Sequence, residues 1–470
     1  MGGSISLTKE QNDVLNVRNR DVLVAASAGS GKTFVVAHRI INRVINNKID
    51  IDRILVVTFT NAAAAELKSR ILSGFYDELK NKNLSVENRK HLERQLSLIN
   101  RAQISTIHSF CLSIIKSNFY TLDLDPNVKT IDENKAKLML LESIDEVIEE
   151  EYENKSEIFL KVLELFKNEE NIIENIEKIY NFSMSMPYPR SWLESSLNKY
   201  RLDKDVKDLS EIDFGKKIID SIKEKLELIY KELEKVCNKI RFDKDFESRL
   251  DILENMLEKI DSMQKLSLYD EIYSYIHNKL DFPRLPSTKC ANEDIKKEVS
   301  DIKKKVTTEL KNISKMIYKD TKGIILELED MYNIVEWYVN ITIKLDKLYS
   351  DKKRKSGYID FADYEHLALK VLDDEKICEE YKNKFDEIYI DEYQDTSYVQ
   401  EMILKSISKN NRIMVGDVKQ SIYSFRNAEP SLFNEKYREY ELYDENVQDT
   451  KSSKIILSKN FRSREIVLIA

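Results

Sequence analysis

Glycine and proline are scarce, nine and six residues in a chain of 470. With 34% of residues charged, that marks a helix-rich chain with short connections, long enough for two or three domains. No apolar run approaches the roughly 18 residues that a membrane span needs. The N-terminus also lacks the basic-then-apolar pattern of an export signal, so a cytoplasmic setting is expected. The four cysteines, Cys111, Cys237, Cys290 and Cys378, show no C-x-x-C spacing and suggest neither a zinc site nor a disulfide framework. Net charge is −8, which argues against a coat protein for nucleic acid, since non-specific binding is driven by phosphate neutralisation. A nucleic-acid cleft remains compatible with it. The basic runs Lys303 to Lys305 and Lys352 to Lys355 read as solvated faces among acidic ones such as Glu149 to Glu151.

Short β-branched apolar runs recur near both ends. They predict strands at 21–25, 54–59, 104–106, 387–391, 412–416 and 455–457, mostly separated by helical patterns. Alternation of this kind implies a mostly parallel sheet covered on both faces. Ligands of such sheets bind beyond the carboxyl ends of the strands, where each of these runs gives way to a polar string. From about residue 116 to 355 the period changes to that of amphipathic helices, as in Ile222, Leu226, Ile229, Leu233, Val236 and Ile240. The division expected is 1–115 and 356–455 for the sheet domain, 116–355 for an inserted helical domain, and 456–470 for the start of a further domain. Loops are expected at 181–190 and 281–287.

The richest string follows the first strand: Ala26, Ser27, Ala28, Gly29, Ser30, Gly31, Lys32 and Thr33. A triphosphate needs converging backbone N–H donors, an ammonium near its β/γ-phosphates and a hydroxyl on its magnesium ion. Gly29 and Gly31 allow the backbone to curl, Lys32 is the ammonium and Thr33 the hydroxyl. A helix from about residue 34 aims its N-terminal dipole at the same charge. Ala26 stands where the phosphate-loop pattern has its first glycine. The strand ending at Ile390 runs into Asp391 and Glu392, a pair that suits a nucleotide hydrolase, with Asp391 on magnesium and Glu392 deprotonating the attacking water. Taken alone, the pair also reads as a helix cap. After the strand at 412–416 come Gln420, placed to sense a γ-phosphate, and Tyr423 and Phe425, whose flat faces suit base stacking.

These strings together resemble the UvrD-like branch of superfamily 1 DNA helicases, in that family's order. Leu7 to Gln11 looks like the adenine-reading motif, with Gln11 as reader. Thr58 to Leu67 looks like a motif that grips single-stranded DNA through Phe59 and Asn61, and Ser105 to Phe110 like the next, with His108 as its contact. Asp360 to Asp363 matches the segment before the acidic motif. Leu457 to Ser463 looks like motif IV, in which Phe461 stacks on adenine and Arg462 touches the γ-phosphate. The resemblance implies an α/β P-loop NTPase (RecA-like) fold with a large inserted helical domain, ATP and Mg2+ as cofactors, and single-stranded and double-stranded DNA as substrates. Gln420, Arg426 and Arg462 then couple the γ-phosphate to the grip on DNA.

The long interval between His108 and Asp391 is similar to that of the larger, helicase-bearing component of bacterial ATP-dependent helicase/nucleases of the AddAB type. That family works with a second, AddB-type subunit, moving 3′ to 5′ in double-strand break processing and recombinational repair. The sequence given stops at Ala470, just after the motif IV match, so the expectation is the ATP-binding portion of a larger motor. The alternatives are a fragment that binds ATP and single-stranded DNA without turnover, a piece of a UvrD/PcrA/Rep-type repair helicase, and a small-molecule P-loop kinase. The last leaves the stacking aromatics without a role.

Overall fold

In the computed structural model, residues 7–27, 29–122, 124–125, 127–201, 206–281, 283–288, 292–421, 428–447 and 450–461 are described. The strands are β1 Asp21–Ala26, β2 Ile54–Thr58, β3 Gln103–Thr106, β4 Lys129–Thr130, β5 Tyr358–Ile359, β6 Glu387–Ile390, β7 Arg412–Gly416 and β8 Ser452–Leu457. Six of them form one sheet in the order β3-β2-β6-β7-β1-β8, with every pairing parallel. These are the six strands the sequence predicts. β4 and β5 form a separate parallel pair.

The central strands β2, β6 and β7 are buried along their whole length, which is why they read as unbroken apolar runs. β8, at an edge, alternates buried with half-buried residues. The period of two along each strand sorts the side chains into two cores. Leu23, Leu55, Val57, Ile388, Ile390 and Met414 share one of them with Phe110, Ile114, Leu369 and Ile403. Val22, Val24, Val56, Tyr389, Ile413 and Val415 share the other with Val36, Ile40, Ile71 and Phe75.

Helices α1 Lys9–Asn16, α2 Lys32–Asn47, α3 Asn61–Leu79, α4 Val86–Leu98 and α5 Ile107–Ser117 belong to the first half of this architecture. Each begins where a polar string ends. Thr8, Thr60, Ser85 and Thr106 cap α1, α3, α4 and α5 through side-chain oxygens. α2 instead begins from Gly31, whose left-handed φ of 85° takes the place of a side-chain cap.

The chain divides into two compact units, Met1–Leu193 with Asn340–Ala470, and Glu194–Val339. The second unit is narrower than the 116–355 segment expected from periodicity, since residues 116–193 and 340–355 group with the sheet. β8 pairs with β1 through Leu457, so residues 456 and 457 lie in this sheet, past the expected boundary at 455. The loop expected at 181–190 is shorter, lying between the helices Glu169–Ser183 and Pro189–Asn198.

The second unit is built on the helices Asp213–Ile240, Glu247–Gln264, Tyr269–Lys279 and Glu293–Met316. Its core is the expected stripe from Ile222 to Ile240 packed with Leu253, Ile260, Val299, Val306 and Ile313. Gly215 is required there, because a Cβ would sit 1.8 Å from the Leu209 carbonyl oxygen. Cys111, Cys237 and Cys378 are buried free thiols. Among the described residues no helix is long and apolar enough to cross a membrane.

Candidate nucleotide site and groove

Because all six strands are parallel, their carboxyl ends, and the strings that follow them, lie along one edge. Between β1 and α2 the chain turns through Gly29 (φ 76°) and Gly31 (φ 85°), both in the region that favours glycine. Ala26 needs no such freedom: it is still in β1, paired with Leu457. The alanine in the pattern's first glycine position therefore costs the turn nothing. Lys32 and Thr33 open α2, and the Ser30 hydroxyl is buried with no hydrogen-bond partner among the described residues. Ala28 lies outside the described residues.

Gln11 reaches this loop from α1. It is buried, its Nε2 donates to the Ser30 carbonyl at 3.4 Å and its Oε1 accepts from Thr8 N–H at 3.1 Å in a capping box. The amide that the sequence singles out as an adenine reader thus also ties α1 to the loop.

Across the edge, Asp391 and Glu392 follow β6. The cap reading of this pair does not hold, since Glu392 precedes a short 3-10 turn and makes no side-chain cap bond. Its carboxylate meets Lys32 Nζ at 2.8 Å, and its backbone takes φ 51°, a conformation that non-glycine residues adopt at a cost of about 1–3 kcal/mol and that clusters at functional sites. Burial, then the neighbouring Glu392 charge, push the Asp391 carboxyl up to about 6, with Lys32 opposing. Gln394 Nε2 donates to Glu392 at 3.0 Å and to Asp395 at 3.1 Å, while its Oε1 accepts from Asp417 N–H at 2.9 Å. Asp417 in turn accepts from Gln420 Nε2 at 2.5 Å. A continuous polar chain therefore runs from the loop lysine to the string after β7. Tyr423, Phe425 and Arg426, further along that string, lie outside the described residues, as does Arg462.

The segment after β8 returns to the same place. Phe461 N–H donates to the Gly29 carbonyl at 2.8 Å, and the ring is 52% exposed.

Beyond the ends of β2 and β3 lies a groove of about 950 Å3 lined by Phe59, Asn61, His108, Phe361, Glu365 and Asp395, among others. Asn61 is exposed at the start of α3, and His108 is half-buried in the first turn of α5. His108 Nε2 lies 3.2 Å from Glu365 Oε1, which also accepts from Gln400 Nε2 at 2.6 Å. Asp395 belongs both to this groove and to the Glu392–Gln394 chain, so the two sites share a wall.

The pattern of the UvrD/REP helicase N-terminal domain matches residues 7–441. The chain belongs to that family. It is similar to ATP-dependent helicase/nuclease proteins, each named as the A component of its enzyme, from Thermoanaerobacter sp. (strain X514), Clostridioides difficile (strain 630) and Syntrophomonas wolfei subsp. wolfei (strain DSM 2245B / Goettingen). Identities are 38%, 38% and 36%, each over 98% of this chain and over 38%, 38% and 37% of the relative. The chain thus spans about two-fifths of the length of these curated relatives.

In this UvrD/REP N-terminal domain the polar strings after the strands, and Gln11 on α1, stand out in the sequence, whereas the side chains that connect them do not. Gln394, Glu365 and Gln400 act between strings and carry no signal of their own. Lys353 is a correction: far from being a solvated face, its side chain is 2% exposed and its Nζ lies 2.7 Å from both Asp360 and Asp363. The Asp-Phe-Ala-Asp string was legible, but its buried cation partner, seven residues upstream of Asp360, was not.

Proposed function

We propose that this chain is the ATP-binding motor portion of a 3′–5′ DNA helicase of the AddAB helicase/nuclease type, from its helicase-bearing A component, acting in double-strand break processing and recombinational repair. The observation that carries the reading is the 2.8 Å contact between Lys32 and Glu392, which brings the phosphate loop and the acidic pair to one point from strands that are not neighbours in the sheet. The donor set fits Mg-ATP. Left-handed glycines expose backbone N–H groups, a lysine and a threonine open a helix, and a carboxylate pair stands opposite. Thr33 and Asp391 would hold Mg2+, which when bound supplies charge neutralisation on the phosphates.

Lys32 binds phosphate oxygen, and Glu392, steadied by Gln394, orients water and accepts its proton. Gln420 reports on the γ-phosphate side through Asp417 and Gln394, and Arg426 and Arg462 join it. Gln11 and Phe461, both bonded to the phosphate loop, suit the adenine end. Phe59, Asn61 and His108 grip single-stranded DNA, with Tyr423 and Phe425 as further base contacts. An AddB-type protein is the partner and the cytoplasm the setting.

The test is ATP binding and turnover by residues 1–470, with and without a single-stranded oligonucleotide, beside Lys32→Ala. Loss of nucleotide binding in Lys32→Ala, together with oligonucleotide binding that drops in Phe59→Ala, is the expected result. Nucleotide binding unchanged by Lys32→Ala overturns the reading.

A further inference from the structure

The groove that holds Phe59, Asn61 and His108 is poorly suited to phosphate. Its lining includes five carboxylates, Glu133, Glu177, Asp360, Glu365 and Asp395, against one lysine among the described residues, Lys137. The buried tyrosines of the same lining do not offset them, since Tyr349 commits its hydroxyl to Asp360 and Tyr364 pairs with the Thr130 hydroxyl. A cleft lined by one sign of charge focuses its field and repels ions of that sign. A strand that lays its bases there needs its phosphates neutralised elsewhere.

The helices Glu169–Ser183 and Thr321–Lys355 wall this groove through Tyr180 and Tyr349, and through Ser183 and Ser350 they wall a second cavity, of about 560 Å3. There the balance is opposite, with Arg190, Lys344, Lys347 and Arg354 against Asp346 and Asp351. Lys344, Lys347, Asp351 and Arg354 follow one another at intervals of three or four residues, which places them on one face of the helix. Lys347 and Arg354 are about 10 Å apart along it.

Neighbouring cations of that helix are paired. Lys344 meets Glu150 at 2.7 Å, Lys352 meets Glu146 at 2.8 Å, and Lys353 sits 2.7 Å from both Asp360 and Asp363. Lys347 and Arg354 are exposed and make no ion pair among the described residues, although Asp351 stands on the same face between them. The helix dipole accounts for a cation in the last turn, where Arg354 lies, but it fades beyond that turn and leaves Lys347 unexplained. We infer that Lys347 and Arg354 bind the phosphodiester backbone of DNA, whose bases enter the groove on the other side of these helices. The inference rests on the reading of this chain as a DNA-binding protein.

The experiment measures binding of the 470-residue chain to a labelled oligothymidylate by fluorescence anisotropy over a series of salt concentrations, and repeats it with a base-free strand of the same length and with a duplex. One phosphate contact contributes about −0.7 to the slope of log affinity against log salt on a single strand and about −0.9 on a duplex. Lys347→Ala and Arg354→Ala each flatten the slope by about that amount and weaken binding about fivefold at about 0.1 M salt, converging on the parent near about 1 M. The loss is the same on the base-free strand, and Lys347→Arg and Arg354→Lys keep the parent slope. A loss on the single strand, the duplex or both supports the contact and tells which form of backbone makes it. Lys231→Ala, at an exposed lysine of the helical unit, changes net charge equally and leaves the slope unchanged. Thermal melting confirms that each variant is folded. If Lys231→Ala flattens the slope as much, or if the Lys347→Ala loss persists at high salt or vanishes on the base-free strand, the phosphate contact is wrong. If Phe59→Ala weakens binding while neither Lys347→Ala nor Arg354→Ala does, the inference falls and the DNA reading stands. If none of the three matters, both fall.

Discussion

In the sheet-bearing unit several of the charged groups that join elements lie inside. Arg412 reaches Asp21 at 2.5 Å and Glu401 at 2.9 Å, with side-chain exposures of 5%, 9% and 10%. Glu387 is enclosed by Arg39, Arg43 and the Tyr389 hydroxyl. In the helical unit the pairs are outside: Lys231 and Glu227, four residues apart on one helix, are 68% and 61% exposed, and Lys217 with Asp213 and Lys265 with Asp261 follow the same pattern. Aliphatic stripes hold that unit together. The difference shows where position must be exact. Apolar stripes tolerate repacking, whereas a buried ion pair needs a narrow geometry, and the unit that uses such pairs carries the candidate nucleotide site and the groove.

The sharpest way to break this contrast is Arg412→Met, which leaves Asp21 and Glu401 buried with their main cation gone. A loss of about 3–5 kcal/mol is expected, read by urea unfolding, with hydrogen exchange rising first in β1 and β7. Leu226→Ala in the helical unit removes a fully buried side chain and should cost about 2–4 kcal/mol, with exchange rising only in helices of that unit. Comparable losses from Lys231→Ala and Arg412→Met would erase the distinction.

A subtler effect concerns acid. Burial opposes ionisation of Glu387, but the Arg39 and Arg43 guanidinium groups outweigh it and hold its carboxyl below the ordinary value of 4.5. A depressed folded-state value means that the unfolded chain binds the proton more readily. The stability from this group is therefore complete above about pH 4.5 and is lost as pH falls through the folded value. Glu387→Gln is expected to flatten the acid limb of the stability profile while lowering stability at neutral pH. An unchanged acid limb would count against Glu387 as a source of acid sensitivity. The smallest effect is expected from Lys231→Ala, under about 0.5 kcal/mol and smaller still in high salt, read from the urea midpoint of the helical unit.

The same contrast explains what could be read beforehand. The six strands of the main sheet were legible because burial on both faces forces continuous apolar runs, and the candidate site at their ends drew notice because the glycine-rich string before α2 has a local spacing. β4 and β5 were not, being two residues each, with Lys129 and Thr130 exposed. The boundary of the helical unit differs because a helix such as Glu133–Glu153 shows the same period whichever unit it groups with. Lys353 was missed for a related reason: a run of four basic residues records which side chains are charged, and only the packing shows which one turns inward.

Leu193 and Asn340, the residues that flank the helical unit, line one cavity of about 560 Å3 in the sheet-bearing unit. The chain leaves and re-enters that unit through neighbouring doors. A short linker joining 193 to 340 therefore has little distance to cross, and the entropy of closing such a connection grows only slowly as residues are added to it. The helical unit is in this sense a cassette, which evolution could enlarge, shrink or exchange without redrawing the strand order.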